Sequence, residues 1–425
     1  MYTGARSVRA LIRLAQFRCA SKDWKQSVLQ VHRSGFNPSR DLFWNTGNVV
    51  ESSGSAVVVD VDVNAKYTES GKPEKQRTLL TCAHVVANSR FLWIDSKSGA
   101  NHGVGTSVPL KVIATAHEID LALLTPDLGP DTDAATRELV DRFFEEQLAP
   151  AQLAEELPKR GEKCVVVGFP GGGSTLCVTS GVVSRVEGVH YAHSCGSHLA
   201  IQVDAAVNGG NSGGVLADTK SDAVTGIVHQ GFSGSDYQNN GSAIPTNVIR
   251  LFLDAVEKGD LQTPEMNEWI TDFGLPTWIP AWSAQPLLDD PLLREKLGVP
   301  NGEWAQAGVV LTRLSKASNA YRQGKVKEGD VLLQVDGHTV SNAGMVTLEG
   351  VENPVFVRIL TALKKPGDLM KFKLWRPSEQ RIVDVELEAE RVNQFALNYE
   401  HDRPSSWACI GGFLFTRLSL PFVSS

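Results

Sequence analysis

The sequence NGGNSGG occupies residues 208–214 and places one serine among glycines and asparagines. Such small neighbours let a substrate backbone approach closely and let main-chain N–H groups converge on one point. Amide hydrolysis needs both features, because a nucleophile attacks the carbonyl carbon and N–H donors stabilise the resulting oxyanion. We therefore predict that Ser212 is a nucleophile and that the amides of Gly210 and Ser212 form an oxyanion hole. Alone, such a loop is more often only a turn, so the prediction depends on what accompanies it.

Two further motifs occur in the chain order that this chemistry requires. The segment TCAHVV at 81–86 places His84 directly after an apolar strand, and EIDLALL at 118–124 places Asp120 before a buried one. A carboxylate at that position is costly to bury unless a partner pairs with it. A hydrogen bond to Asp120 fixes the tautomer of His84 while His84 accepts the proton of Ser212. The order His, Asp, Ser is typical of the chymotrypsin class and differs from subtilisins and α/β-hydrolases.

Between residues 28 and 252 the chain consists mostly of short β-branched runs separated by Gly, Asn and Ser. Many short strands with turn signals and few helices indicate an all-β barrel or sandwich. Together with the order of the catalytic residues, this pattern predicts a mainly β protein with a chymotrypsin-type double β-barrel. A polar stretch at 64–77 is predicted to be an exposed hairpin loop. An acidic, helix-prone stretch at 131–159 carries apolar residues at helical spacing, expected to pack inward: Leu139, Phe143, Phe144 and Leu148.

The chain divides into a basic N-terminal segment at 1–25, a barrel unit at 26–259, a second unit at 265–392 and a short tail at 393–425. A helix at 247–258 is predicted to close the barrel unit. In the second unit, KEGDVLLQVDG at 327–337 runs from acidic residues through an apolar strand into an Asp-Gly turn, which is typical of a hairpin. Further strands at 308–314, 370–375 and 381–387 and a helix near 319–323 predict a compact α+β unit.

The composition excludes several classes of protein. Hydrophobic residues make up 42% and charged residues 21% of the chain, which is typical of a globular protein. The net charge is −7 and no dense basic stripe occurs, so nucleic-acid binding is not predicted. No apolar stretch approaches the roughly 18–20 residues that span a bilayer. The Gly-rich stretch at 168–175 lacks the lysine of a phosphate-binding loop and is predicted to be a turn near the active site. We predict no cofactor.

The six cysteines are scattered without metal-ligand spacing, which predicts a reducing compartment and mostly buried, apolar roles. Three histidines, His190, His193 and His198, crowd the stretch 189–198, which we interpret as a regulatory loop. Because the stretch lacks a carboxylate, we predict surface histidines there and no metal site. A redox-sensitive disulfide between Cys177 and Cys195 is a further hypothesis.

The first 22 residues are rich in arginine, and no acid occurs before Asp23. The arginines interrupt any apolar run, which argues against a secretory signal. A mitochondrial presequence fits this segment best, and a chloroplast signal, a nuclear location or an untargeted basic tail remain alternatives.

Taken together, these motifs resemble those of the HtrA/Deg serine proteases, and within them the plant-type Deg branch. The stretches that carry the resemblance are 80–86, 120–124, 165–170, 178–185, 202–214 and 243–246 in the barrel unit, and 308–337, which resembles a PDZ domain. The resemblance implies a trypsin-like serine protease domain at 26–259 with His84, Asp120 and Ser212 as its triad, and a PDZ-like domain at 265–392. It also implies an ATP-independent endopeptidase that acts on unfolded or damaged proteins as a homotrimer or a multiple of trimers.

Residues around the expected specificity pocket are Val207, Ile227 and His229. The apolar Val207 and Ile227 predict a preference for an apolar residue before the scissile bond. The sequence departs from the family in two places. Gly209 and Val215 stand where prolines are common, and Pro276 and Pro280 lie in the loop expected to bind peptide carboxylates through N–H donors, which proline lacks. The tail segment GGFLF at 411–415 resembles the first strand of a second PDZ-like unit.

Two functions from different classes are consistent with this sequence. The first is an active quality-control endopeptidase. The second is a chaperone or scaffold that binds unfolded polypeptides with little proteolysis. The three catalytic motifs favour the first.

Overall fold

The computed structural model describes residues 24–259 and 282–418, apart from 40–41, 43, 46, 66–67, 69–70, 96–106, 195, 235–236, 288–290, 317, 366, 390–400, 403–405 and 417. Nearly all of the predicted targeting peptide at 1–25 lies outside the described residues, as do Cys195 and the loop containing Pro276 and Pro280. The predictions made for those segments therefore stay predictions.

Six antiparallel strands form a first closed barrel in the order β1-β2-β3-β6-β5-β4. They are β1 Val28–Phe36, β2 Val49–Val63, β3 Glu74–Thr81, β4 Ser89–Asp95, β5 Ser107–Ala116 and β6 Leu121–Pro126. The apolar run of β6 is fully buried through Leu124, and the strand lies between β3 and β5 in the barrel. The predicted loop at 64–77 is shorter than expected. Its last residues join β3, where Arg77 forms an ion pair with Asp60 of β2 at 2.9 Å.

A second closed barrel follows in the order β10-β11-β12-β9-β8-β7. Its strands are β7 Lys163–Gly168, β8 Cys177–His190, β9 Ser197–Val203, β10 Val215–Asp218, β11 Val224–Gly234 and β12 Tyr237–Pro245. The two closed barrels confirm the predicted chymotrypsin-type architecture.

Within the described part of the barrel unit there are three α-helices: α1 Ala83–Val86, α2 Ala134–Arg142 and α3 Thr246–Lys258. Helix α2 continues into one wide turn at Phe143–Gln147. Phe143, Phe144 and Leu148 are buried as predicted, whereas Leu139 is 42% exposed and lies on the solvent side. Helix α3 ends at Gly259, whose φ of 74° gives the left-handed cap that glycine favours.

The C-terminal unit contains a mixed set of strands and short helices. Its main sheet has the order β13-β14-β15-β19-β20, with β16 paired to β15, and β17 and β18 form a separate hairpin. The elements are β13 Trp282–Pro286, α4 Pro291–Lys296, β14 Val309–Leu314, α5 Asn319–Gln323, β15 Val331–Val335, β16 His338–Thr339, β17 Met345–Val346, β18 Val355–Phe356, α6 Arg358–Ala362, β19 Leu369–Arg376 and β20 Arg381–Glu388. The predicted strands and the helix at 319–323 are present.

A buried ion pair crosses this sheet. The Arg376 guanidinium donates to both carboxylate oxygens of Asp330, over 2.9 and 2.8 Å. Because both side chains are almost fully buried, removing either partner would leave an uncompensated charge in the core. Asp330 belongs to the acidic start of the 327–337 motif, so the motif supplies a structural anchor as well as a turn.

The C-terminal unit packs directly on the second barrel. Apolar residues of β7–β11 and of the C-terminal sheet form one continuous buried cluster. At its centre, Ile359 of α6 lies over Gly188 of β8, and a Cβ on that glycine would stand only 3.0 Å from the Ile359 side chain. The absence of a side chain at Gly188 therefore permits the close approach of the helix.

A last hairpin, β21 Trp407–Ile410 with β22 Phe413–Thr416, lies in the tail and exposes most of its residues. The PDZ-like assignment of the C-terminal unit, the boundary at 259 and the reading of this hairpin as part of a further unit remain predictions. Among the residues described, no helix has the length and hydropathy needed to cross a membrane.

Candidate active site

His84 lies at the point where the first barrel turns from a strand into a helix. Strand β3 ends at Thr81, and the one-turn helix α1 buries Ala83, Val85 and Val86. The buried neighbours fix the turn, while 31% of the His84 side chain remains exposed. The packing of these neighbours therefore holds the His84 imidazole at an accessible edge of the barrel.

Asp120 occupies the turn just before β6 and is buried. Its φ of 58° is a left-handed value, which aspartate tolerates better than most residues. Oδ1 accepts the main-chain N–H of His84 over 2.9 Å, and Oδ2 lies 2.8 Å from Nδ1 of the same residue. Two hydrogen bonds thus orient the carboxylate toward the histidine, and the ring keeps its Nε2 for another partner.

The electrostatics of this pair suit a base. Burial raises the pKa of the Asp120 carboxyl, but the charge and hydrogen bond of His84 outweigh it, so that pKa is held well below its usual range. Burial alone would lower the pKa of His84. The charge of the Asp120 carboxylate and its hydrogen bond have the larger combined effect, so the pKa of His84 is raised. Asp120 is therefore ionised at neutral pH and strengthens His84 as a proton acceptor.

The loop that carries Ser212 is fixed by one residue of the first barrel, Ser55 in β2. The Ser55 N–H donates to the Ser212 carbonyl over 2.8 Å, and the Ser55 hydroxyl donates to the Gly210 carbonyl over 2.8 Å. The same hydroxyl accepts the N–H of Phe169 over 2.9 Å, and the Ser55 carbonyl accepts the Thr81 hydroxyl over 2.7 Å. Every polar group of this fully buried residue is used, and the two barrels meet through it.

Sequence reasoning missed Ser55. The available signal is a serine that directly precedes the apolar run AVVV at 56–59, where a buried hydroxyl needs a partner. That pattern indicates a structural hydrogen bond without indicating which distant loop receives it.

The serine loop has the backbone features expected of an oxyanion hole. Gly210 and Gly213 have φ values of 96° and 83°, which favour glycine. Within the described part of the chain, neither the Gly210 nor the Ser212 amide donates a hydrogen bond, so both donors are available. The Ser212 hydroxyl donates to the carbonyl of His229 over 3.3 Å. The Gly-rich loop at 168–175 lies beside this site as predicted, because the Gly171 N–H donates to the Gly209 carbonyl over 2.6 Å.

A model of the trypsin-like peptidase domain matches residues 54–227, a stretch that begins next to Ser55 and includes all three predicted triad residues. Protease Do-like 2, chloroplastic, of Arabidopsis thaliana is 30% identical over 397 residues, which cover 93% of this chain and 56% of that protein. The double barrel is thus similar to trypsin-like peptidase domains and to the Do-like proteases.

Two further comparisons agree with this assignment. Protease Do-like 4, mitochondrial, of Arabidopsis thaliana is 29% identical over 406 residues, covering 94% of this chain and 66% of that protein. The chain thus spans less than two thirds of the length of either relative. The solved HtrA-type protease AlgW with tripeptide has a TM-score of 0.56 at 22% identity, over 86% of this chain and 94% of that chain. At such low identity this likeness shows the fold alone.

The predicted specificity pocket needs correction. Ile227 is fully buried in the peptidase core, and His229 is 3% exposed, so neither side chain offers surface to a substrate. The buried His229 ring instead contacts the catalytic pair: Nδ1 lies 3.8 Å from Asp120 Oδ2, and Nε2 lies 3.0 Å from the Ser242 hydroxyl. Burial lowers the pKa of His229 to about 3, so the ring is neutral. Val207 is half-buried and lies close to Gly231 and Gly241, and its place in the pocket stays a prediction.

The prediction of surface histidines at 189–198 is also wrong for His198, whereas His193 is half-buried. His190 is exposed, but His198 is buried against Tyr191, with ring centroids 5.0 Å apart. The fully buried Tyr191 turns the hairpin between β8 and β9 inward, which carries His193 to within 5.9 Å of the His84 ring. Burial lowers the pKa of both His193 and His198 to about 4.

Cysteine burial follows the prediction in part. Cys82 and Cys164 are buried, whereas Cys177 and Cys409 are exposed. Cys82 lies beside His84 and Asp120 at metal-ligand spacing, but its thiol donates to the Val228 carbonyl over 3.3 Å. Burial raises the pKa of the Cys82 thiol well above the usual value, so the thiol is protonated in this structure. Cys82 therefore packs beneath the His84–Asp120 pair as a neutral, buried group.

The glycines of the serine loop allow a matched test. A Cβ on Gly213 would overlap the Ser55 carbonyl oxygen and the Thr81 hydroxyl, whereas a Cβ on Gly209 would meet no atom within 4 Å. We expect Gly213→Ala to destabilise the fold by about 1–3 kcal/mol and to lower peptide hydrolysis by about 10²-fold through displacement of Ser212. Chemical denaturation and initial rates measure the two effects. Gly209→Ala is the control, and equal damage by both variants would contradict the packing described.

Proposed function

We propose that this protein is an ATP-independent serine endopeptidase that cleaves unfolded or damaged proteins for protein quality control. The observation that carries the proposal is the 2.8 Å contact between His84 Nδ1 and the buried Asp120 carboxylate, next to the loop that presents Ser212. Orienting a histidine with a buried acid has its best-known use in activating a serine nucleophile. The trypsin-like domain match and the protease relatives support the same reaction.

The proposed reaction follows from the contacts at the site. The Ser212 hydroxyl turns from the His229 carbonyl to Nε2 of His84, gives up its proton and attacks the scissile carbonyl carbon. The amides of Gly210 and Ser212 stabilise the oxyanion, and the protonated His84 then gives its proton to the leaving amine. Water, activated by the same His84, hydrolyses the acyl-enzyme and restores Ser212. Asp120 stays ionised throughout and stabilises the imidazolium.

The predicted pocket bears on the substrate class. Val207 is the half-buried apolar residue of the three predicted pocket residues, so we propose an apolar or small residue before the scissile bond. Unfolded chains expose such residues, whereas folded proteins bury them. The alternative of a chaperone that binds without cleaving is not favoured, because the paired His84 and Asp120 serve no binding purpose.

Assembly and location extend the proposal. A homotrimer, or a multiple of trimers, is proposed from the family resemblance, and the sedimentation mass of the purified chain would reveal a monomer if this is wrong. A mitochondrial location is proposed because the first 22 residues are basic and one Do-like relative is mitochondrial, although the other is chloroplastic.

We expect a fluorescent reporter fused to residues 1–40 to enter mitochondria, because a basic segment with interspersed apolar residues is typical of such presequences. Replacing the five basic residues of 1–22 by glutamine in the same fusion is the control. Fluorescence in chloroplasts or nuclei would contradict this part of the proposal without affecting the chemistry.

Cleavage of unfolded casein tests the central claim. We expect Ser212→Ala to lower the turnover by about 10⁶-fold, because the triad acts as one unit. Ser174→Ala, in the exposed Gly-rich loop beside the site, is the matched control and should leave turnover unchanged. Undiminished cleavage by the Ser212 variant would remove the nucleophile assignment, and binding of casein without cleavage by the wild-type chain would favour the chaperone alternative.

The pH dependence tests the base. Only neutral His84 can accept a proton, so kcat/KM is expected to rise with pH as the imidazole loses its charge. Because the pKa of His84 is raised, the midpoint should lie above the usual value of about 6.5. Initial rates with a peptide that has no titrating group measure the profile. A rate independent of pH between about 6 and 8 would argue against a histidine base.

A further inference from the structure

Three histidines from distant parts of the chain meet beside the catalytic pair. They are His117 in the turn before Asp120, His193 in the β8–β9 hairpin and His401 in the C-terminal segment. One ring nitrogen of each lies within 4.8 Å of those of the other two. Nδ1 of His117 is 2.9 Å from Nε2 of His193. The His401 ring lies 4.3 Å from the His117 ring and 4.2 Å from the His193 ring.

The geometry of His117 matches that of a metal ligand with an outer-sphere partner. Its Nε2 lies 2.7 Å from Oδ2 of Asp402, so the N–H at this nitrogen donates to the carboxylate. The lone pair is then at Nδ1, the nitrogen that faces His193. A carboxylate that holds the far nitrogen of an imidazole fixes the tautomer and orients the ring toward a metal ion.

The distances between the histidine nitrogens also fit those around a bound zinc ion. Two imidazole nitrogens bound to one tetrahedral zinc ion at about 2.0–2.1 Å stand roughly 3.3 Å apart. The observed 2.9 Å between His117 and His193 and the upper bound of 4.8 Å within the trio bracket that value. Three histidines at such distances can bind an ion after small side-chain rotations and leave a fourth position open.

Asp402 fixes the C-terminal segment at this place. Its main-chain N–H donates to the Asn88 side-chain oxygen over 2.8 Å, and its carboxylate accepts the Asn88 N–H. Asn88 follows the helix that carries His84, and His117 lies three residues before Asp120. The segment at 401–402 therefore contacts both loops that supply the catalytic pair.

We propose that His117, His193 and His401 form a binding site for a divalent transition-metal ion of the zinc type, with Asp402 as its outer-sphere partner. The ion would tie the C-terminal segment to the peptidase domain. Because the His193 ring lies 5.9 Å from the His84 ring, an ion held there would restrict access to the catalytic edge. This inhibitory effect rests on the proposed function, whereas the metal site does not.

Metal binding to the full-length Ser212→Ala protein tests the site without self-cleavage. After removal of metal by a chelator, titration with zinc chloride is followed by calorimetry, and cobalt(II) is added to a second sample for its visible spectrum. We expect one ion per chain and the intense absorption of four-coordinate cobalt. Asp402→Asn should weaken binding by about 10–100-fold, and His193→Ala and His401→Ala should weaken it more.

His190→Ala is the matched control, because His190 is an exposed histidine at the end of the same hairpin. Equal weakening by this variant, or full binding by the His401 variant, would overturn the site and leave a stack of hydrogen-bonded histidines only. His401 lies in the tail, so its variant should keep the circular dichroism spectrum and Tm of the parent. Loss of that spectrum would leave Asp402→Asn as the deciding variant.

Casein cleavage by the protein with an intact Ser212 tests the effect of the ion. We expect zinc at saturating concentration to lower turnover at least 10-fold, with recovery on adding chelator and no inhibition in His401→Ala. If zinc binds and turnover is unchanged, the inhibitory effect is overturned. If zinc binds normally but the protein shows no turnover at all, the result counts against the peptidase proposal alone.

Discussion

The hydrogen bonds of Ser55 hold the active site together. This one residue of β2 accepts from Phe169 and Thr81 and donates to the carbonyls of Gly210 and Ser212, so it joins the first barrel to the serine loop of the second. Each such bond contributes only about 1 kcal/mol net, but a buried group left unpaired costs about 1–3 kcal/mol. The position of the loop relative to His84 therefore depends on satisfying every polar atom of a single serine. A Cβ atom on Gly168 or Gly213 would collide with Ser55 and disturb these hydrogen bonds.

Two features of Asp120 are energetically unfavourable, and the surrounding structure offsets both. A buried carboxylate is unfavourable, and so is a left-handed conformation for a residue with a side chain. Both are tolerated because His84 supplies a main-chain N–H and an imidazole to the same carboxylate. The neutral, buried His229 ring fills the remaining space on that side without competing for the proton. The fold alone thus holds the His84–Asp120 pair in position.

The sequence was informative where the signal is local. The loop around Ser212, the strand before His84 and the apolar run after Asp120 each carry their pattern within a few residues, and the barrel strands follow from alternating β-branched runs. What it could not reveal depends on contacts between distant residues. The bond from Phe169 to Ser55 joins residues 114 apart in the chain, and the pair of His117 and Asp402 joins residues 285 apart. For the same reason His198 and His229 looked like surface or pocket residues: both rings pack against the buried Tyr191, with ring centroids 5.0 and 4.3 Å away.

The packing of Ile359 over Gly188 limits how this protein can be dissected in the laboratory. Since apolar residues of the second barrel and of the C-terminal sheet belong to one unbroken cluster, a chain shortened after α3 would present a bare hydrophobic face to water. Such a fragment would be prone to self-association, however well its own strands close. A soluble catalytic fragment would need polar replacements along the β8–β9 surface, including a residue larger than glycine at 188.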